Sequence, residues 1–373
     1  MLKWRIRVVV FLLGLGPTLV SGALAAAGGS AGVVYTATNA PDGNVVIVFD
    51  RAADGALTSA GAFATGGLGT GKGLGNQGGV VLTENERWLI VVNAASDDVT
   101  VFAVESSGLR HAGTTPSGGR MPISVAVHGS LVYVLNAGGA VGEADNITGF
   151  VLEGGGLTPL AGSTRPLSSS ATGPAEVAFR PDGRVLVVTE KTTNTIDTYT
   201  VGSDGLASGP NLFPSAHPTP FGFAFGKRDQ VFVSEAGGGA DASAVSSYLV
   251  ADDGSLEVIT PAAATTETAA CWVVVTPDGR FAYTTNTGSG SISGYHVAFD
   301  GKIALLDSDG RTAVTGAGSG PIDTALSRNG RFLYTLNSGS GTIAAFSVRA
   351  NGSLSPRPSL SGIPAGSNGL AGR

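Results

Sequence analysis

Two short stretches near the C-terminus decide the fold: Phe281–Asn286 reads FAYTTN, and Phe332–Asn337 reads FLYTLN. Both are rich in aromatic and β-branched residues, which is typical of β-strands. A tight turn precedes each stretch, with the sequence PDGR at 277–280 and RNGR at 328–331. Asp-Gly and Asn-Gly suit hairpin turns because glycine adopts a positive φ without steric cost. The pattern therefore predicts a hairpin that is repeated along the chain.

The same strand signature occurs seven times. The other five copies are VVYTATN at 33–39, WLIVVN at 88–93, LVYVLN at 131–136, VLVVTE at 185–190 and VFVSE at 231–235. The copies end at residues 39, 93, 136, 190, 235, 286 and 337, with separations of 54, 43, 54, 45, 51 and 51 residues. Seven units of this length are typical of β-propeller blades, each a four-stranded antiparallel sheet.

The two ends of the repeat region complement each other. The first unit begins at its second strand, whereas the last unit is complete by Leu354 and the chain continues to Arg373. The tail, GSNGLAGR at 366–373, resembles the inner strands of other units. We expect it to supply the innermost strand of the first blade, because closing the ring removes two open sheet edges. The predicted fold is an all-β, seven-bladed β-propeller that forms one domain over residues 28–373.

Residues 1–27 have the features of an export signal. Lys3, Arg5 and Arg7 precede an apolar stretch, and small residues at 23–27 provide a cleavage site. The alternative is a membrane anchor, but the apolar stretch is short and interrupted by glycine and proline. We therefore expect a secreted protein, extracellular or periplasmic, with no membrane span after signal removal.

Composition excludes several classes of partner. The net charge is −6 and no Lys/Arg cluster follows the leader, so a nucleic-acid surface is not expected. Cys271 is the only cysteine, which rules out an internal disulfide. No spacing of His, Cys and Asp is typical of a metal site, and no cofactor is predicted. We expect a monomer that binds a small molecule.

Three features together resemble one family: the PDGR turns, the YTTN and YTLN strands, and the terminal GIPAGSNGLAGR stretch at 362–373. This is the seven-bladed lactonase family, which includes 6-phosphogluconolactonase and carboxymuconate cyclase enzymes. The strands also resemble the YVTN repeats of bacterial surface-layer propellers. The resemblance covers essentially all of the chain after the leader, and it implies a lactonase-like activity on a small cyclic ester.

The chain departs from this family at the channel. Family members commonly carry a Pro-His-Ser motif on an inner strand, and the best match here is Pro122-Ile123-Ser124. None of the predicted inner strands contains histidine. A histidine-dependent mechanism is therefore not transferred, and the chain is expected to be an outlying member.

Propeller geometry gathers candidate residues that are distant in sequence, because inner strands run antiparallel to second strands. The start of each inner strand and the end of each second strand should therefore meet at one mouth of the channel. The predicted catalytic residues are Glu190, Glu235 and Lys191, and the predicted binding residues are Glu176, Trp272, Asp323, Asn76, Arg120 and His217. A carboxylate with a raised pKa would serve as a general base, and Lys191 or Arg120 would stabilise an oxyanion.

Structural explanations of the same residues remain open. Glu190 and Glu235 replace the asparagine of other units, so they could simply bond the loop backbone. Trp272 is equally consistent with channel packing, and Cys271 with a small buried hydrophobe. The stretch GGLGTGKG at 66–73 resembles a phosphate loop, but it lacks the strand-to-helix context. It is interpreted as a flexible connection between blades.

Two functions follow from these observations. The first is a secreted hydrolase of a lactone or similar cyclic ester at an acidic channel mouth. The second is a secreted or surface propeller that binds a partner without turnover. Family resemblance and the predicted cluster of carboxylates favour the first, whereas the YVTN-like repeats and the missing histidine favour the second.

Overall fold

The structure, a computed structural model, describes residues 31–373, so the predicted leader at 1–27 lies outside the described residues. Seven antiparallel sheets follow one another around a ring. The only helical element in this part of the chain is a short 3-10 helix, Gly138–Val141. Within residues 31–373 no helix has the length and apolar character needed to cross a membrane.

Each blade consists of consecutive strands, except the first. Blade 1 contains β1 (Gly32–Ala37), β2 (Val45–Arg51) and β3 (Leu57–Ala64). Blade 2 contains β4 (Val80–Leu82), β5 (Trp88–Asn93), β6 (Asp98–Glu105) and β7 (Gly108–Pro116). Blade 3 contains β8 (Pro122–His128), β9 (Leu131–Asn136), β10 (Asn146–Glu153), β11 (Gly156–Pro159) and β12 (Arg165–Pro166). Blade 4 contains β13 (Pro174–Phe179), β14 (Val185–Glu190), β15 (Thr195–Val201) and β16 (Ala207–Pro214). Blade 5 contains β17 (Pro220–Phe225), β18 (Gln230–Glu235), β19 (Ala244–Val250) and β20 (Leu256–Ala264). Blade 6 contains β21 (Ala270–Val275), β22 (Phe281–Asn286), β23 (Ser291–Val297), β24 (Ile303–Leu305) and β25 (Ala313–Val314). Blade 7 contains β26 (Pro321–Leu326), β27 (Phe332–Asn337), β28 (Thr342–Val348) and β29 (Leu354–Ser361).

The last strand, β30 (Asn368–Gly372), closes the ring. It pairs antiparallel with β1, with Leu370 opposite Thr36, and so forms the inner strand of blade 1. The N–H of Arg373 also donates to the carbonyl of Val33 at 2.9 Å. The predicted seven-bladed fold and its closure by the C-terminal strand are therefore confirmed.

The tyrosine of the signature strand joins neighbouring blades. The hydroxyl groups of Tyr133, Tyr283 and Tyr334 donate to the carbonyls of Gly205, Gly352 and Gly55, at 2.8, 2.7 and 2.9 Å. Each acceptor glycine lies in the outer hairpin turn of the next blade. The tyrosine is buried in each case, so its hydroxyl needs this partner and thereby fixes the blade-to-blade distance.

Inner strands begin with an irregularity that exposes backbone groups to the channel. In blades 3 to 7 the register between inner and second strand shifts immediately after the first paired residue. The N–H groups that follow the shift cannot all be paired within the sheet. Because buried N–H groups need acceptors, the channel must supply them from elsewhere in the chain.

Candidate functional site at the channel mouth

The strand ends meet at one mouth as the topology predicted. Glu190 lies opposite Pro174, and Glu235 lies opposite Pro220, so the end of each second strand adjoins the start of its inner strand. Backbone position alone, however, does not decide where a side chain points. Successive residues of a strand face opposite sides of the sheet.

Glu190 is turned outward, away from the channel. Its carboxylate accepts hydrogen bonds from the N–H and hydroxyl of Ser168 and from the hydroxyl of Thr193. Burial, followed by the neighbouring Glu190 carboxylate, raises the pKa of Asp197 on the third strand to about 9. Asp197 is therefore protonated at neutral pH and hydrogen-bonds Glu190. Glu190 is 0% exposed and anchors the loop that enters blade 4.

Glu235 has the same role in blade 5. One carboxylate oxygen accepts from the hydroxyl of Ser215 at 2.7 Å and from the N–H of His217 at 2.9 Å. The other accepts from the hydroxyl of Ser246 on the third strand at 2.6 Å. Burial raises the pKa of Glu235, although these hydrogen bonds oppose the rise. This carboxylate is also 0% exposed and fully bonded to protein groups.

Glu176 and Asp323 do face the channel, but as caps for backbone groups. Glu176 Oε2 accepts from the N–H of Phe223, in the next blade, at 2.6 Å. Asp323 accepts from the N–H of Thr324 at 2.8 Å and from the N–H of Leu370 in blade 1. Burial raises the pKa of both carboxyls well above the usual range. These residues satisfy the backbone donors that the register shift leaves unpaired.

The expectation that four carboxylates converge on an acidic mouth is therefore corrected. Glu176 and Asp323 line the buried channel, whereas Glu190 and Glu235 bond the loops and third strands outside it. The reason is the alternation of side chains along each strand, which the sequence comparison of strand ends did not resolve. That Glu190 and Glu235 act as bases stays a prediction.

A segment that precedes the inner strand of blade 2 fills the channel, so Asn76 lies before β4 and not on an inner strand. Residues 72–78, here called the plug, follow the glycine-rich stretch between β3 and β4 and insert among the inner strands. The Gln77 side chain accepts from Val273 N–H at 3.0 Å and donates to the carbonyls of Val273 and Phe223. The carbonyl of Gly78 accepts from Val125 N–H at 3.0 Å. The plug thus contacts inner strands of several blades.

Lys191 lies where the plug enters the channel. Its Nζ donates to the carbonyl of Gly75 in the plug and to that of Pro174 at 2.8 Å, and lies 4.8 Å from the centre of the Phe221 ring. Burial lowers the pKa of Lys191 to about 8, an effect that Cys271 and Asp145 partly oppose. Within residues 31–373, Lys191 has no ion pair with a carboxylate. It is a partly buried cation whose direct partners are two carbonyl groups and the Phe221 ring.

An aromatic wall completes this region. The rings of Phe221 and Trp272 are 5.0 Å apart, and Trp272 Nε1 donates to the carbonyl of Asn76 at 2.7 Å. Cys271 belongs to the same buried cluster, and burial raises the pKa of its thiol to about 12. The thiol is therefore protonated at neutral pH, consistent with a small buried hydrophobe.

Among the remaining predicted binding residues, only Asn76 joins this group. Asn76 is part of the plug, and its side-chain amide donates to the carbonyl of Ile123. Arg120 instead pairs with Asp97 at 2.5 Å. The His217 ring contacts the carbonyl of Ala242 at 3.0 Å, in an outer loop of blade 5. The mouth therefore brings together Lys191, Trp272 and Asn76, with Gly75, Gln77 and Phe221 as additional residues.

Two cavities in the described part of the chain lie away from this mouth. One of about 890 Å³ is bounded by hairpin turns of blades 2 and 7 and by β1, and its lining includes Arg51, Glu86, Arg328 and Arg373. Another of about 590 Å³ lies between blades 3 and 4. Neither contains a predicted site residue. Among the described residues no cluster of His, Cys, Asp and Glu is arranged to hold a metal ion.

The structure resembles solved lactonase-like propellers. It superposes on the periplasmic gluconolactonase of Pseudomonas aeruginosa with a TM-score of 0.71 at 17% identity, covering 90% of this chain and 98% of that one. A candidate 6-phosphogluconolactonase of Bacteroides fragilis gives a TM-score of 0.70 at 17% identity, covering 92% and 98%. At these identities the likeness shows the fold alone. A comparison with curated protein sequences finds no significant match.

Family membership rests on the sequence. The profile of the family described as lactonase, 7-bladed β-propeller, matches residues 33–158 and 265–372. These stretches make up more than half of the chain, and they flank the blades that hold Glu176, Glu190, Lys191 and Glu235. The chain belongs to the seven-bladed β-propeller lactonase family.

Proposed function

We propose that this chain is a lactonase-like hydrolase that acts on a small lactone at the channel mouth, with Lys191 as the central group. The observation that carries the proposal is that Lys191 is a partly buried cation without a carboxylate partner in residues 31–373. Family membership supports the reaction class. Site residues are not inherited from the family, because its profile does not match the region around Lys191.

Hydrolysis of a lactone forms a bond between water oxygen and the carbonyl carbon, and then breaks the ring C–O bond. Negative charge develops on the carbonyl oxygen in between. The Lys191 ammonium would stabilise that charge, and removing such a donor typically costs about 10²–10³-fold in rate. The ring oxygen takes up a proton, and the product is a hydroxycarboxylate. Removal of the proton from water by Glu190 or Glu235 stays a prediction, because their oxygens already accept other bonds.

The test is proton release from a panel of aliphatic, sugar-derived and carboxylated lactones. Lys191→Met, which removes the charge at similar length, should lose about 10²–10³-fold in kcat/KM. Lys191→Arg, which keeps the charge, should retain more activity. Because the ammonium is the active form and its pKa is about 8, activity should fall as the pH rises through about 8.

Other results would place the active site elsewhere or assign a different active group. Turnover that Lys191→Met leaves unchanged would place the chemistry elsewhere. A large loss in Glu190→Gln or Glu235→Gln with an unchanged thermal midpoint would instead identify that residue as the base. Activity that rises through pH 8 would make the neutral amine the active form.

A second function is favoured by a different observation. All four predicted carboxylates cap loops or strands, and the plug fills the channel, which suits a propeller that binds without turnover. Titration calorimetry on wild-type protein distinguishes the two functions. Binding of a lactone without proton release over hours would favour the binding propeller.

We further propose that the protein is exported and acts as a monomer. The charged, apolar and small-residue segments of residues 1–27 support export. Mass analysis of the secreted protein should find a new N-terminus between residues 26 and 29. Intact Met1 in a membrane fraction would contradict export, and a dimer by light scattering would contradict the monomer.

A further inference from the structure

The plug provides hydrogen-bond acceptors for three donor groups that face the channel. The carbonyl of Gly75 accepts from Lys191 Nζ, and the carbonyl of Asn76 accepts from Trp272 Nε1 at 2.7 Å. Gln77 Oε1 accepts from Val273 N–H at 3.0 Å. Consecutive residues of the plug thus offer amide oxygens where a ligand of this site would offer its own.

The plug fits these donors imperfectly. Lys191 pairs with carbonyl dipoles and with no carboxylate in the described part of the chain, and burial of such a cation is costly. Asn76 Oδ1 is also buried and accepts no hydrogen bond. An anionic group beside Lys191 would form a charge-assisted hydrogen bond, which is about twice as strong as a neutral one.

Few side chains hold the plug in place. Eight of the fourteen residues at 66–79 are glycine, so the segment gains much backbone freedom when it leaves the channel. Within the plug, residues 72–78, the buried or partly buried side chains are those of Leu74, Asn76 and Gln77. Local opening is least costly where few apolar contacts hold a segment.

We propose that the plug is a built-in occupant of the ligand site, and that a small carboxylate displaces it by pairing with Lys191. The proposal rests on the proposed function only in treating the surroundings of Lys191 as a ligand site. A lactonase would generate such a carboxylate as its hydroxy-acid product. The ligand must therefore compete with residues 72–78, and removing the plug should strengthen its binding.

Limited proteolysis with trypsin reports the position of the plug. Lys72 is exposed and is the only lysine or arginine between Arg51 and Arg87. Cleavage after Lys72 therefore gives fragments of distinctive mass, and it requires the segment to leave its bound conformation. The probe is 4-hydroxybutyrate, and the matched control is 1,4-butanediol, which has the same carbon chain without the charge.

We expect 4-hydroxybutyrate to accelerate cleavage at Lys72 several-fold, the diol to have no effect, and Lys191→Met to abolish the acceleration. Gln77→Ala should raise basal cleavage by about a hundredfold, because three hydrogen bonds are lost. Gln230→Ala is the matched control, since Gln230 is a buried glutamine that bonds Phe299 at the other face. Cleavage at Arg51, which is buried at the end of β2, measures global unfolding.

Two outcomes would overturn the proposal. In one, 4-hydroxybutyrate slows cleavage at Lys72 or leaves it unchanged. In the other, Lys72 is cleaved no faster than Arg51 in the Gln77→Ala variant. The assay needs no turnover, so plug release in a protein that hydrolyses no lactone would keep this proposal and reject the lactonase.

Discussion

Two blade junctions, that of blades 4 and 5 and that of blades 5 and 6, cap an N–H group of the inner strand in different ways. The two N–H groups, of Phe223 and Val273, occupy equivalent positions on their inner strands. Between blades 4 and 5, Glu176 accepts from the N–H of Phe223 at 2.6 Å. Between blades 5 and 6, blade 5 has Gly222 where blade 4 has Glu176, and glycine has no side chain that could accept a hydrogen bond. Gln77 of the plug accepts from Val273 N–H instead.

The difference teaches how to interpret buried polar residues in this channel. A carboxylate on an inner strand serves the neighbouring blade, because an uncapped buried N–H costs about 1–3 kcal/mol. Where the carboxylate is missing, a distant segment supplies the acceptor. The plug is therefore part of the ring at one junction, and we expect its displacement to lower the stability of blades 5 and 6.

Removal of the C-terminal strand should have the largest effect, because it destroys a third junction. Asp323 accepts from Leu370 N–H, and β30 is the inner strand of blade 1. Deleting residues 366–373 removes about five hydrogen bonds at about 1 kcal/mol each, together with apolar contacts of Leu370. That approaches the stability of a typical domain. The truncated protein should aggregate or melt far lower, and an unchanged thermal midpoint would contradict closure of the ring by β30.

The sequence predicted this architecture because the repeated signals are local. Each Asp-Gly or Asn-Gly turn and each YTTN-like strand forms from adjacent residues, and the spacing of seven copies gives the blade number. Closure by the tail also followed, since the missing inner strand of blade 1 and the surplus strand at the C-terminus match. The tyrosine contacts between blades were not predicted, although a buried tyrosine needs a partner for its hydroxyl.

The candidate site was predicted only in part. Lys191 and Trp272 do meet, because their backbone positions follow from the topology. Asn76 joins them through the plug and not on an inner strand. The outward orientation of Glu190 and Glu235 depends on side-chain alternation at the ends of the second strands, which residue type does not reveal. Gln77 was not among the predicted residues, although its neighbour Asn76 was, because no sequence pattern shows that its amide reaches blades 5 and 6. A signal for Gln77 was nevertheless available. Blade 5 has Gly222 where other blades have Ser124, Glu176, Trp272 or Asp323, so an acceptor from another segment was needed there.

Gly222→Ala should disturb the junction between blades 5 and 6. A Cβ on Gly222 would lie 2.2 Å from Gln77 Oε1 and 2.6 Å from the carbonyl of Cys271. Overpacking of this kind should cost about 3 kcal/mol in the free energy of unfolding, measured by urea denaturation. Gly73→Ala, in the plug but with open space around its Cβ, is the control and should be neutral. Equal stability of the two variants would show that Gln77 does not occupy the space beside Gly222.

Glu176→Ala tests the junction between blades 4 and 5 by removing its cap. The N–H of Phe223 would be left buried without an acceptor, which should lower the free energy of unfolding by about 2 kcal/mol. Glu257→Ala provides the control, since Glu257 is exposed on the outer strand of blade 5. If both variants unfold at the same urea concentration, the cap contributes nothing.

Glu176→Gln should have the smallest effect, and it separates capping from charge. Glutamine retains an oxygen that accepts from Phe223 N–H, so stability at low pH should change little. Burial raises the pKa of Glu176 well above the 4.5 of the free residue, so the folded state holds a proton that the unfolded state releases. The stability that this group contributes is present below about pH 4.5 and is lost as the pH rises toward the folded pKa. Urea denaturation at pH 5 and pH 8 should therefore show a smaller loss of stability in Glu176→Gln than in the wild type. Equal losses would mean that Glu176 ionises normally in the channel, and that its junction with blade 5 depends on a carboxylate rather than on a neutral acceptor.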